Sequence, residues 1–201
     1  MLGKKLKVAG TIVAVVAALG LTAMAHAQDK REVYTAFVVN MGGAAGMSGT
    51  LQINITRWST DEERAMLLNT LKEKGHDEFI KALRNQKETG FVRAQGRLAQ
   101  RTPFPSTRLY GAWQFEKDGK REVRLMTDRP ISGREAAGGG RSLDYDLSVL
   151  IMEFPAGDKD ADGTGTLHLA LKLRYDDTDG KLHVETLGQD DTRLTKITRK
   201  E

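Results

Sequence analysis

The residues best placed to do chemistry are three alternate carboxylates, Asp158, Asp160 and Asp162, followed by Gly163. Oxygens at alternating positions of a tight loop converge on one centre, which is how such loops wrap calcium. An EF-hand loop would close with an acid where this chain has Leu169, and shorter variants with one where it has Thr166. The expectation is a solvated acidic loop and no cofactor; calcium binding at Asp158, Asp160 and Asp162 would at most be weak, with an affinity of ~0.1–1 mM. The run Asp176-Asp177-Thr178-Asp179-Gly180 reads as a turn.

Cationic and aromatic residues at strand ends form a second set. Arg57-Trp58 closes one strand pattern and Asp128-Arg129-Pro130 another, while Arg93 shares a face with Gln95 and Arg97. Arg57, Trp58, Arg93 and Arg129 would converge into a ligand-binding patch if the sheet closes on itself. Against this, strand-end arginines often pair with acids or cover an aromatic ring. A third set, Asp128, Asp144, Asp146 and Glu153, could supply the acid pair of a hydrolase.

Other chemistries find little support. The chain has no cysteine, so disulfides, thiolate zinc sites and cysteine nucleophiles are excluded. His168 and His183 fall about 20 Å apart along a hairpin, too far to share a metal. Gly46-Met47-Ser48-Gly49-Thr50 approaches a nucleophile elbow, but has Thr50 where the second glycine is required and precedes a strand. Gly138-Gly139-Gly140-Arg141-Ser142 lacks the strand–loop–helix setting of a phosphate loop.

Lys4, Lys5 and Lys7, the apolar stretch from Val8 to Met24 and Ala25-His26-Ala27 have the layout of a bacterial-type secretory signal peptide cut before Gln28. Its loss would remove 27 of 201 residues and leave a 174-residue domain, 28–201. It would also remove three Lys and no acid, leaving 28 basic against 27 acidic residues. So balanced a surface has no field to draw nucleic acid. No later apolar run approaches the ~20 residues of a membrane helix. An uncleaved leader serving as an anchor is the alternative.

The remaining pattern is strands. Period-two alternation marks 33–40, 50–57, 90–98, 107–115, 122–127, 145–154, 165–175, 181–187 and 192–197. Leu167, Leu169, Leu171, Leu173 and Tyr175 should share one face. Across Asp179-Gly180, the register that sets Lys172 against Glu185 also sets Leu173 against Val184. At Asp118-Gly119-Lys120 a three-residue loop would oppose Phe115 to Val123 and Trp113 to Leu125; a two-residue loop would instead oppose Trp113 to Arg124. Between the second and third strands, residues 60–87 read as a helical pair. A capping box (Ser59 with Glu62, or Thr60 with Glu63) opens it and Gly75 breaks it. Its stripes are Met66, Leu67 and Leu71, with Leu68 at their margin, then Phe79, Ile80 and Leu83.

The expected fold is α+β. About nine mostly antiparallel strands form a barrel or strongly curved sheet around one apolar layer, with a two-helix insertion after the second strand. The expected function is that of an exported periplasmic or extracellular domain, a non-enzymatic binding or structural protein of the cell envelope. Its partner would be a small molecule, a lipid or an envelope protein. The alternative is a secreted hydrolase with an unmarked carboxylate pair.

Overall fold

Side chains that alternate between apolar and polar need a sheet with one dry face, and the first strand supplies that pattern. In β1 (Glu32–Val39) Tyr34, Ala36 and Val38 are buried and Phe37 is exposed. The structure, a computed structural model, describes residues 31–39, 48–101, 106–128, 145–155, 162–178, 180–186 and 192–200. The further strands are β2 (Ser48–Ile55), β3 (Gly90–Gln95), β4 (Ser106–Leu109), β5 (Gly111–Lys117), β6 (Lys120–Thr127), β7 (Leu147–Phe154), β8 (Gly163–Asp176), β9 (Lys181–Thr186) and β10 (Thr192–Lys200). The helices are α1 (Asp61–Arg84) and α2 (Gly96–Arg101). The sheet is antiparallel and bends into a half-barrel of order β4-β3-β2-β1-β10-β8-β7-β6-β5, with β9 added to β8. Among the described residues no helix is long and apolar enough to cross a membrane.

The two ends of that path, β4 and β5, are separated in sequence by Tyr110 alone. The sequence pattern reads 107–115 as one strand, but the backbone changes partners at this point. Leu109 C=O accepts from Thr89 N–H (2.8 Å), whereas Tyr110 N–H donates to Met126 C=O (2.9 Å). The stretch after β2 runs along the edge of β5, where Ser59 N–H donates to Ala112 C=O (2.8 Å). The strand expected over 90–98 stops at Gln95, because Gly96 turns into the left-handed region (φ 58) and starts α2.

The expected single apolar layer is in fact two. The concave face gathers Tyr34, Ile53, Trp58, Val92, Val123, Leu125, Leu150, Met152, Phe154 and Leu167, among others. The convex face of β5–β8 gathers Trp113, Phe115, Met126, Leu147, Val149, Ile151, Leu171 and Leu173, with Val184 of β9, beneath α1. Strands covered on both sides lose their polar alternation, which is why β7 reads as the nearly continuous apolar run LSVLIM.

Two register expectations turn on this. The β8–β9 hairpin has the anticipated register, with Lys172 opposite Glu185 and Leu173 opposite Val184. The β5–β6 hairpin does not: Trp113 faces Arg124 and Phe115 faces Glu122. Its turn is the two-residue Asp118-Gly119, with φ 52 and 73. Two left-handed residues give the twist that a two-residue hairpin needs. The three-residue alternative rested on keeping Arg124 out of the core, yet Arg124 is buried on the α1 side with Glu122 as its ion-pair partner.

The expected common face of Leu167 to Tyr175 is also split. Leu167 and Leu169 point into the concave cluster, while Leu171 and Leu173 point under α1. Ala170, at φ 52, marks a bulge where the β7–β8 register shifts. One extra residue reverses the parity of everything beyond it.

α1 starts with the Thr60 capping box: Glu63 N–H donates to Thr60 Oγ1 (3.2 Å) and Thr60 N–H donates to Glu63 Oε2 (2.9 Å). Gly75 (φ 80) breaks the helix into two arms. Leu67 and Leu71 on the first and Phe79, Ile80 and Leu83 on the second are buried, but Met66 is exposed.

The close approach of β3 to β2 yields a sharp expectation. Gly90 has φ +155, and a Cβ there would stand 1.9 Å from the Asn54 carbonyl oxygen. Gly90→Ala should therefore destabilise by about 3 kcal/mol or more, measured by denaturant titration.

Candidate functional site

A polar network on the concave side lies at one end of the half-barrel and starts from strand parity. Glu32 and Tyr34, two residues apart on β1, face the interior and are 7% and 0% exposed. Arg199 stands opposite Tyr34 on β10, and Arg121 reaches in from the start of β6. Tyr34 donates its hydroxyl hydrogen to Glu32 Oε2. Arg121 donates to Tyr34 Oη (3.0 Å), to Glu32 Oε2 (2.7 Å) and to Gln114 Oε1 (3.0 and 3.2 Å). Arg199 holds the other Glu32 oxygen at 2.9 Å.

Aromatic rings frame this network. The Arg121 guanidinium lies 5.7 Å from the Trp58 ring centroid and 5.8 Å from that of Phe154. The Tyr34 and Phe154 rings meet at 5.2 Å. Such faces attract a cation electrostatically and hold the guanidinium in place. Two guanidiniums share one carboxylate, so the cluster carries a formal charge of +1. Arg121 and Arg199 are 31% and 30% exposed, so the cations, not the acid, face solvent.

Burial pushes the Tyr34 hydroxyl well above its ordinary pKa of 10.0; attraction to Arg121 opposes this and the Glu32 charge adds to it. Folded Tyr34 thus holds its proton more tightly than unfolded Tyr34. Its contribution to stability is full below the ordinary tyrosine range and is lost as pH rises through and beyond it. Stability should fall as pH rises above about 10, and Tyr34→Phe should flatten that fall in denaturant titrations. An equally steep fall in the variant would assign the alkaline transition to other groups.

Of the patch expected from sequence, Trp58 alone joins this network. It is 5% exposed and packs in the concave cluster. Arg57 is occupied as a clamp between the end of β2 and α1. It donates to both Glu63 oxygens (2.9 and 3.0 Å), to Trp58 C=O (3.1 Å) and to Lys87 C=O (2.7 Å). Arg93 stands on the opposite face of the sheet, over the ring of Phe91 at 5.3 Å. Val92 takes the inward position beside it, and alternation allows only one of the two to point in. Arg129 lies outside the described residues, as do Asp158 and Asp160. Asp162 accepts a hydrogen bond from Thr198 Oγ1 at 2.8 Å.

The described acids named for a hydrolase each have a partner. Asp128 is buried and held by Arg84 Nε at 2.7 Å. That bond, with attraction from Asp128 and Asp146, holds the Arg84 guanidinium above its ordinary pKa. Asp146 pairs with His76 Nε2 at 3.1 Å. Glu153 is exposed and 3.8 Å from Lys120. Asp144 lies outside the described residues. None of the three described acids has the unpaired, apolar surroundings that make a general acid.

Sequence reasoning missed His76. It is 6% exposed, at the break in α1, and its Nδ1 accepts from Leu173 N–H at 3.1 Å. The tautomer follows: Nδ1 accepts, so Nε2–H donates to Asp146. Both ring nitrogens are occupied, leaving no lone pair to activate a nucleophile. Glu32, Tyr34 and Arg121 were also missed. The only local signal was an acid and a tyrosine at i, i+2 on the buried face of one strand; nothing in the sequence ties Arg121 to them. Comparison with known proteins brings no match: no family model, no curated protein and no solved structure aligns significantly with the chain.

Proposed function

We propose that this chain is an exported, non-enzymatic domain of the cell envelope that binds an anionic group of a small molecule, lipid or envelope protein at the rim formed by Arg121 and Arg199. The observation that carries this reading is the capped end of the half-barrel. Tyr34, Trp58 and Phe154 fill the concavity there, and the two cations face outward around buried Glu32. A ligand would thus dock at the rim instead of entering a barrel. Export rests on the basic start, the apolar stretch and Ala25-His26-Ala27.

A thermal-shift screen of fatty acids, anionic and zwitterionic phospholipids and small aromatic acids tests the reading. Anionic compounds should raise the melting temperature in a concentration-dependent way, and Arg199→Gln should reduce the rise. No shift from any anion would sink it. Turnover of an ester, glycoside or peptide substrate that vanished on replacing Asp128 or Asp146 would establish the hydrolase instead.

A further inference from the structure

β9 is an edge strand whose backbone orientation can be fixed. Leu173 N–H points at His76 on α1, away from β9, while Asp176 C=O points toward β9 and accepts from Gly180 N–H at 2.9 Å. In an antiparallel pair, the N–H and C=O of one residue point to the same side, and the side alternates along the strand. Leu173–Val184 and Tyr175–Leu182 are therefore the pairs without mutual hydrogen bonds. Leu182 and Val184 turn their N–H and C=O groups to the outer edge. Among the described residues, β9 pairs with β8 alone. The edge has no proline and no bulge of its own, and the charges it carries, Lys181 and Glu185, are of opposite sign.

The sequence of this edge, Lys181-Leu182-His183-Val184-Glu185-Thr186, is complementary to itself when reversed about His183. We propose that β9 pairs antiparallel with β9 of a second copy of this chain, about a twofold axis through His183. Leu182 then exchanges both backbone bonds with the partner's Val184, and Val184 does so with the partner's Leu182. On one face apolar side chains meet apolar ones, continuing the cluster under α1 to which Val184 belongs. On the other face Lys181 stands opposite the partner's Glu185, and Glu185 opposite the partner's Lys181. A one-residue slip would oppose groups that point back at β8, and a two-residue slip would separate Lys181 from Glu185. The register is thus selected by both backbone and charge. An isologous contact of this kind closes after two copies.

Charge reversal tests the proposal on the full chain in the form the cell accumulates, by sedimentation velocity over a concentration series at low salt. Wild type should dimerise. Lys181→Glu alone and Glu185→Lys alone each set like charges opposite one another twice, and should weaken dimerisation about tenfold. Mixing those two variants makes both cross-strand pairs complementary, so the mixture should associate as wild type does. The double variant should also recover dimerisation, although within one chain it leaves the changed residues beside Asp176 and Lys172. A melting curve for each variant separates lost folding from lost association. A wild type that stays monomeric, single variants that dimerise like wild type, or a mixture that associates no better than its components would each overturn the proposal.

Discussion

Leu171→Asp is expected to unfold the protein under conditions where Lys172→Ala leaves it folded. Leu171 is 1% exposed, opposite Leu147 on one side and Thr186 on the other, in the cluster with Leu67, Leu71 and Phe79 of α1. Losing the leucine leaves a cavity worth about 2–5 kcal/mol. Placing a carboxylate there adds the desolvation of an unpaired charge, which brings the total above about 5 kcal/mol, the size of many whole-domain stabilities. Lys172 is the next residue, on the other face, opposite Glu185 and only partly buried. A pair of that kind contributes well under ~1 kcal/mol. Denaturant titration of the two variants checks the contrast. Equal losses would mean that the faces of β8 are wrongly assigned beyond the bulge.

The second large effect concerns Arg124. Its guanidinium lies 4.8 Å from the Phe115 ring centroid on the α1 side of the sheet, pairs with Glu122 and is 1% exposed. Arg64 of α1 also approaches that ring, at 5.7 Å from its centroid. Removing one partner of a buried ion pair leaves the other charged and unpaired, which costs about 3–5 kcal/mol. Arg124→Ala should fall in that range. Replacing both residues with apolar ones of similar volume, Glu122→Leu with Arg124→Met, should recover most of the loss or exceed wild type, because the pair no longer has to be desolvated. A double variant as unstable as Arg124→Ala would show that the pair itself, not the stranded charge, supplies the stability.

Legibility of the fold in the sequence followed how local each constraint was. The β8–β9 register was readable because one shift alone kept Leu173 against Val184 and Lys172 against Glu185. The break at Gly75 was readable, and the cap was narrowed to Ser59 or Thr60, because each is encoded within a few residues. The β5–β6 register misled because parity was scored on the assumption of one dry face. A buried Arg124 has its explanation on α1 and Glu122, and not in the hairpin. The Ala170 bulge was invisible because nothing about alanine favours a positive φ; the packing of β8 against β7 and α1 imposes it. The candidate site was the least legible part. Arg57 and Trp58 were noticed as strand-end neighbours, but they diverge, one clamping α1 and the other lining the concavity. Glu32 and Arg121 come together only through the curvature of the whole sheet.

The pairing of β1 with β10, in which Val33 lies opposite Lys200, bears on the order in which the chain can fold. The first described strand completes its hydrogen bonding only with the last. β10 also bridges β1 to β8 and carries Arg199 to Glu32. A nascent chain that lacks β10 therefore leaves β1 and β8 each with an open edge, and Glu32 with Arg121 but without Arg199. Its folding waits on a contact of very high sequence separation, the slowest kind to form. In this topology the delay comes from the strand order itself, because β1 has no second neighbour until β10 has emerged.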